Sequence, residues 1–528
     1  MGAQFQYWTE ALFAPDWTVD RAKWGFQLDW TPAEYSTGWL AESWEQTDPT
    51  TYTVHLNKNA RWQNKPPVNG REFTSEDVVF NYDRMFGTGH GFNIPSPFFS
   101  AMMPNIKQVV AVDKYTVQFQ MKDSSYWAVT DVVGGIPFIP YEQVNTPIVT
   151  ISQPGGGGGG GLEVPEALQD WHNAIGTGAW MLTDYIQGSS LTMSRNPDYW
   201  EYDERYPKNK LPYLDSTKDI AIADTTTMLA ALRTAKIDIP MVGGPGGATW
   251  QQMEALFKDS PQFTRQKQPG AAGTGITFVT NQKPFDDINV RKAMQLAVDV
   301  SSLAKTLSNI LGATPVGTVM PDFVGFTLPY ADWSQDLKEQ FTFNPIKAKQ
   351  MLVDAGYPNG FNTKVVMGSN ASTDAAQVYK AFFHDIGIEM EIEVMEASAF
   401  QNFIKDGKAD QLILGGGFGG PTPVTQMAKF TTGNGENYTN NNDAGYDALY
   451  AALRGAKTAD EARKASVACD MYALEHHWEI ASYYGPGIDT TWWPWLKGYM
   501  GESTQGNKYS YYKARWWIDQ DLKKSMGH

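Results

Sequence analysis

Between Thr274 and His476 short strand-like runs alternate with helical runs, and this alternation constrains the fold more than any other feature of the chain. Strands are expected over Thr274 to Thr280, Asn362 to Gly368, Ile388 to Val394 and Gln411 to Leu414. Helices are expected over Asp287 to Val298, Pro345 to Ala355, Ala375 to Phe383, Ala399 to Phe403, Tyr446 to Arg454 and Asp460 to His476. A strand that follows a helix and joins the preceding strand in one sheet needs a crossover, so a largely parallel sheet covered on both faces is expected.

The amino-terminal half has a different rhythm. Thr51 to Leu56 and Tyr115 to Phe119 alternate with period two, as half-buried strands do. Thr74-Ser-Glu-Asp77 supplies a helix N-cap with acids in the first turn, ahead of Val78-Val79-Phe80. From Ala174 to Asp238 the pattern is strand, hairpin, strand, then a helix over Thr225 to Thr234. With 528 residues the chain is too long for one core, and two or three domains of mixed α/β class are expected.

Charge and composition remove several functions. The net charge is -16, and no basic stripe is present to neutralise phosphates, so nucleic acid and anionic membranes are poor partners. No apolar run reaches the ~18 residues needed to span a bilayer. Met1-Gly2 leads directly into a polar-aromatic segment, so any export signal is expected to have been removed or to lie outside this sequence. The single cysteine, Cys469, falls in a helical stretch and reads as a buried thiol. Seven of the 19 Trp fall within the first 62 residues; most read as core, and a minority could line a ligand cleft. Gly155 to Gly161 is an unbroken glycine run that cannot hold a fixed fold by itself, and it is expected to mark a domain edge near residue 160.

Several segments, taken in order, resemble the bacterial extracellular solute-binding proteins of the peptide/nickel class (family 5), the receptors of ABC importers. They are Gly38-Trp-Leu-Ala-Glu-Ser-Trp44, Tyr52-Thr-Val-His-Leu56, Phe73-Thr-Ser-Glu-Asp-Val-Val79, Ile175-Gly-Thr-Gly178 and Arg195-Asn-Pro-Asp-Tyr-Trp200. Further on come Leu211-Pro-Tyr-Leu-Asp215, Met228-Leu-Ala-Ala-Leu-Arg233, Lys283-Pro-Phe-Asp-Asp287, Val290-Arg-Lys-Ala-Met294 and Ala355-Gly-Tyr-Pro-Asn-Gly-Phe361. These residues are mostly scaffold. Asn196-Pro197 turns the chain out of a strand, Asp286-Asp287 reads as a turn and N-cap, and Gly356 reads as the residue just past a helix end, with Pro358 beyond it.

The resemblance implies a two-lobed periplasmic-binding-protein fold of the large type II class, with mixed sheets covered by helices and an extra subdomain in lobe I. The expected layout is lobe I over 1–40, the subdomain over 41–165, lobe I again over 166–265, lobe II over 266–481 and a return to lobe I over 482–528. It further implies a cleft that closes on its ligand by hinge motion, crossovers near residues 240 to 270 and 480, an extracytoplasmic monomer and an ABC transporter permease as partner. The family pattern places a strand several tens of residues before its Glu-x-Leu segment, here Glu10-Ala-Leu12, and this sequence does not contain it.

Candidate ligand-binding residues follow from position and chemistry. Phe418 stands among Gly417, Gly419 and other glycines after a strand, and glycines let backbone groups approach a ligand closely. In oligopeptide binders of the family an acid three residues after this aromatic pairs with the peptide ammonium; here Pro421 stands in its place. Asn281 follows a strand, Gly243, Gly244 and Trp250 follow the last strand of the first lobe, Tyr483 and Tyr484 lie near the second crossover, and Glu10 is a candidate for a cationic ligand group. His476-His477 does not read as a metal site, since adjacent helical residues point about 100° apart. No metal and no cofactor are expected. The sequence holds no Gly-x-Ser-x-Gly elbow and no His-Glu-x-x-His, so binding without catalysis is expected, with a secreted solute-processing enzyme as the rival class. A peptide or peptide-like molecule is the expected ligand, and a carbohydrate or other small organic nutrient the second choice.

Overall fold

The computed structural model describes residues 7–28, 30–92, 105–128, 136, 138–143, 148–151, 162–165, 170–222, 224–240, 248–267, 271–272, 275–369, 371–415, 422–485, 489–502 and 508–528. The Gly155 to Gly161 run lies outside them. The chain divides into two compact units, one formed by 1–153, 160–266 and 489–528, the other chiefly by 267–488.

After a short pair of strands, Phe13–Pro15 with Ser36–Gly38, the first unit continues with strands β1 (Ala41–Asp48) and β2 (Thr51–Leu56), helix α1 (Ser75–Phe86), and strands β3 (Ile106–Asp113) and β4 (Thr116–Met121). The strands form an antiparallel sheet in the order β1-β2-β4-β3. Thr74 caps α1 as the sequence predicts, its backbone N–H donating to Asp77 Oδ2 at 2.9 Å. Val54, Leu56, Val117 and Phe119 face Val78 and Tyr82 of α1 in a core of their own. A second antiparallel sheet holds β5 (Trp180–Ile186), β6 (Ser190–Arg195) and β7 (Ser216–Ile220) in the order β7-β6-β5. Its core takes in Trp8, and the Ile175-Gly-Thr-Gly178 segment explains how: a Cβ at Gly176 would lie 1.9 Å from the Trp8 carbonyl oxygen. Only glycine leaves room for the amino-terminal segment to lie there, and Gly178 N–H donates to that same carbonyl at 3.0 Å. Helix α2 (Trp250–Asp259) and strand β8 (Thr264–Lys267) lead to the second unit.

The second unit contains β9 (Ala271–Ala272), β10 (Ile276–Phe278), α3 (Ile288–Leu296), β11 (Thr314–Pro315), α4 (Pro345–Asp354) and β12 (Phe361–Gly368). There follow α5 (Thr373–His384), β13 (Ile388–Met395), α6 (Ala397–Lys405), β14 (Leu412–Leu414), α7 (Ala459–His476) and β15 (Tyr483–Gly485). Strand order in the main sheet is β10-β14-β12-β13. The expected parallel sheet is found only in part: β12 runs parallel to β13 and β14, and β10 is antiparallel to β14. Both faces are covered, as a βαβ crossover requires. Val365, Met367, Leu412 and Leu414 face α3, α4 and α5, while the intervening Val366 and Ile413 face Phe400 and Ile404 of α6. Asp287 caps α3 by accepting from Asn289 N–H at 2.8 Å, and Gly356, just past α4, takes φ +92°, a left-handed conformation that terminates the helix.

The chain returns to the first unit as β16 (Asp489–Trp492), which pairs with β8. The two passages between the units are therefore flanked by paired strands, β8 with β16 in the first unit and β9 with β15 in the second.

Candidate functional site

In an open α/β sheet, ligands bind beyond the carboxyl ends of the parallel strands, where loops rather than strands set the chemistry. The register of the second unit fixes what lies at that edge. Gly368 is paired with Met395, Met367 with Leu414, and Leu414 with Ile276, so three carboxyl ends and the amino end of β10 are level. Gly415, at φ +79°, starts the 415–421 segment from this edge. Residues 271–272 and 276–278 pair with 478–485 in one continuous antiparallel register, in which Ala272 meets Tyr484, Ile480 N–H donates to Ile276 C=O and Phe278 N–H donates to Trp478 C=O. Ala272 and Tyr484, in a separate three-stranded sheet, thus lie past the Leu414 end of the main sheet, on the side of Gly415.

The structure brings some of the sequence candidates to this edge and separates others. Gly417, Phe418, Gly419 and Pro421 lie outside the described residues, between Gly415 and Thr422, the cap of the short helix Pro423–Met427. Tyr483 and Tyr484 are neighbours in β15 and must point to opposite faces. Tyr483 is buried in the core, its hydroxyl 2.6 Å from Ser308 Oγ. Tyr484 is half-buried and is the member of the pair placed on the other face. Asn281 is exposed and sits at the far end of the sheet, because β10 runs antiparallel and its carboxyl end points away from Gly415.

In the first unit Gly243 and Gly244 lie outside the described residues. Trp250 is half-buried at the first turn of α2, where Thr249 and Gln252 form a reciprocal capping box. Glu10 has no exposed surface at all. Its Oε1 lies 2.6 Å from the Tyr199 hydroxyl, and burial raises its carboxyl from 4.5 to about 8. Sequence reasoning offered Glu10 as a ligand contact and did not anticipate its interior partners Tyr199, Glu201 and Arg515.

Charge near the candidate edge is locally neutralised. Glu479, beside Thr277, accepts from Lys429 Nζ at 2.9 and 2.8 Å and from Thr277 Oγ1 at 3.0 Å. Among the described residues no group of three His, Cys, Asp or Glu side chains is arranged to hold a metal ion. His476 and His477 diverge: His476 stacks on Tyr472 with centroids 4.0 Å apart, and His477 stacks on Phe341 at 4.8 Å. No described helix is long and apolar enough to cross a membrane. Among the described residues this edge presents Gly415, the strand ends at Gly368 and Leu414, and the face of β15 that carries Tyr484.

The family model for bacterial extracellular solute-binding proteins, family 5 Middle, matches residues 36–438. The chain belongs to this family. As a family 5 solute-binding protein it is 27% identical over 444 residues to heme-binding protein A of Haemophilus influenzae, covering 80% of this chain and 74% of that protein. It is 24% identical over 463 residues to di/tripeptide-binding protein 1 of Pseudomonas aeruginosa, covering 83% of this chain and 77% of the relative. In structure it is similar to the periplasmic binding protein DppA of Helicobacter pylori in complex with the peptide STSA, with a TM-score of 0.71 at 19% identity over 97% of this chain and 92% of that one. The fold is the two-lobed fold of periplasmic binding proteins, and this family 5 protein is a solute-binding protein of the bacterial extracellular class.

Proposed function

We propose that this family 5 protein captures a short peptide or peptide-like solute at the glycine-rich edge of its second unit and presents it, chemically unchanged, to the permease of an ABC importer. The observation that carries the reading is that the strand ends at Leu414 and Gly368, Gly415 beyond them, and Tyr484 beside Ala272 lie at one sheet edge. A peptide is a ladder of N–H and C=O groups, and glycine-rich backbone can meet it directly. Phe418 and Tyr484 would supply aromatic faces for its side chains. The relatives support the class, since one is a di/tripeptide-binding protein and a structural neighbour holds the peptide STSA. The replacement of the family's acid by Pro421 favours peptides bound without a strict demand for a free ammonium. The paired strands that flank both chain passages, β8 with β16 and β9 with β15, would act as the hinge.

Heme is the second reading, favoured by the similarity to the Haemophilus influenzae protein. Thermal unfolding with dipeptides, tetrapeptides, hemin and a disaccharide separates the two. A ligand present at 100-fold its Kd stabilises by about 2.7 kcal/mol, which a melting curve resolves. Peptide-dependent stabilisation that is weakened in Phe418→Ala, with the peptide recovered intact, is the expected result. Stabilisation by hemin alone, or cleavage of the peptide, would overturn the proposal.

A further inference from the structure

Three distant stretches of the first unit meet at one phenol. The Tyr199 hydroxyl lies 2.6 Å from Glu10 Oε1 and 2.6 Å from Glu201 Oε2, and the Trp39 indole N–H donates to it at 3.4 Å. A phenol has one hydrogen to donate and two lone pairs with which to accept, while an indole N–H can only donate. Trp39 therefore uses one lone pair, and the single Tyr199 proton can serve only one of the two carboxyls. The other carboxyl must bring a proton of its own, or two negative oxygens would press on one buried hydroxyl.

Arg515 decides which carboxyl is neutral. Its Nη2 lies 3.2 Å from Glu201 Oε1 and 2.8 Å from Glu204 Oε2, and the guanidinium sits 3.7 Å over the Tyr511 ring. Glu201 is thereby held as a carboxylate and takes the Tyr199 proton. Among the described residues Glu10 has no cation within ion-pair distance, and its Oε2, with the Thr177 hydroxyl beside it, has no well-formed hydrogen bond. An ionised carboxylate there would leave charge unpaired; a carboxylic acid leaves only a carbonyl oxygen.

We propose that Glu10 is a proton-binding site: at neutral pH it carries a proton and donates it to Tyr199, so that one buried O–H ties the amino-terminal segment to the Tyr199–Glu201 turn and, through Arg515, to the carboxy-terminal return. Burial and the charge of Glu201 both raise the Glu10 carboxyl, to about 8, against the opposing pull of Tyr199, Thr177 and Arg515. Burial raises Glu201 as well, with Arg515 opposing and Glu204 adding to the rise. An acid whose folded value lies above its unfolded 4.5 gives stability that is fully present below about 4.5 and is lost as pH rises through about 8. The clasp is tight in acid and neutral solution and opens in alkali.

The test uses the full-length protein. Refolding at pH 6.5 should take up about one proton more in wild type than in Glu10→Gln, read from heats in buffers of different ionisation enthalpy. The wild-type unfolding midpoint should fall relative to that of Glu10→Gln between pH 6 and pH 9, since the amide keeps a donor toward Tyr199 that does not titrate. Parallel profiles with equal proton uptake would overturn the proposal. Infrared spectroscopy of wild type labelled with carboxyl-13C glutamate gives a reading that does not depend on the variant folding. A protonated carboxyl band at pH 6.5 that disappears by pH 9.5 and persists in Glu502→Gln is expected. Absence of the band, or its loss in Glu502→Gln, another buried acid of this unit, would overturn the assignment.

Discussion

The guanidinium of Arg291 donates to the main-chain carbonyl of His476 through both Nε and Nη2, at 3.1 and 2.9 Å. Nε also reaches the His477 carbonyl at 3.1 Å, and Nη1 reaches that of Phe285 at 2.7 Å. The last carbonyls of α7 have no partners within the helix and carry the negative end of its dipole. A buried cation satisfies them, and burial lowers Arg291 to about 10, which leaves it charged at neutral pH. Arg291→Lys should cost the second unit about 2 kcal/mol in urea unfolding, because an ammonium cannot present planar donors to three carbonyls at once.

Two glycines with positive φ should respond very differently to alanine. At Gly356 (φ +92°) nothing lies within 4 Å of a built Cβ, so Gly356→Ala should cost only the conformational term, about 1 kcal/mol. At Gly360 (φ +70°) a Cβ would lie 1.7 Å from the Gly387 carbonyl oxygen, at the point where the chain enters β12 beside the start of β13. The backbone must move there, and Gly360→Ala should cost more than about 3 kcal/mol or abolish soluble expression. Equal midpoints for the two variants would show that the close approach of the Gly360 and Gly387 backbones is not maintained in solution.

The opposite faces of Tyr483 and Tyr484 separate stability from binding. Tyr483→Phe removes the bond to Ser308 Oγ and should lower stability by about 1 kcal/mol with ligand affinity unchanged. Tyr484→Ala should weaken peptide binding several-fold with a smaller change in melting temperature. The reverse pattern would move the binding surface to the other face of β15.

Much of the scaffold was legible because it is written locally. The Thr74 to Asp77 cap, the Asp287 cap and the Gly356 stop each involve residues within a few positions of one another, and all three occur where the sequence places them. The strand over Asn362 to Gly368 is likewise where the sequence places it, but Val365, Val366 and Met367 are all apolar, so which of them faces which layer is decided by the packing and not by polarity. Strand direction is not local. Asn281 follows an apolar run as a residue at a binding edge does, but β10 pairs antiparallel with β14, and this carries Asn281 to the opposite end. The continuous register between 271–278 and 478–485 joins segments some two hundred residues apart. Glu10 shows the same limit: its partner Tyr199 lies 189 residues away, and nothing near Glu10 in sequence announces an interior proton.

The second unit holds two groups that titrate in opposite directions. His477 is buried against Phe341, and burial, with the nearby charges of Lys292 and Arg291, lowers it from 6.5 to about 3. Its folded value lies below its unfolded value, so unfolding takes up a proton in acid, and stability present above pH 6.5 is lost as pH falls toward 3. Asp470 accepts from Thr318 N–H at 2.8 Å and Thr327 Oγ1 at 2.6 Å, yet burial raises it from 3.8 to about 6. Its folded value lies above its unfolded value, so its contribution is full below pH 3.8 and is lost as pH rises through 6. Between pH 4 and 6 the two slopes oppose each other, and wild type should look nearly insensitive to pH in urea unfolding of this unit. His477→Asn, which tolerates the left-handed φ of 48° at that position, should leave the Asp470 slope alone, so that the variant gains stability as the solution is acidified. Asp470→Asn should leave the His477 slope alone and lose stability over the same range. Each slope should approach one proton per molecule, about 1.4 kcal/mol per pH unit. If both variants retained the flat wild-type profile, neither group would be held in the interior in the state that the structure shows.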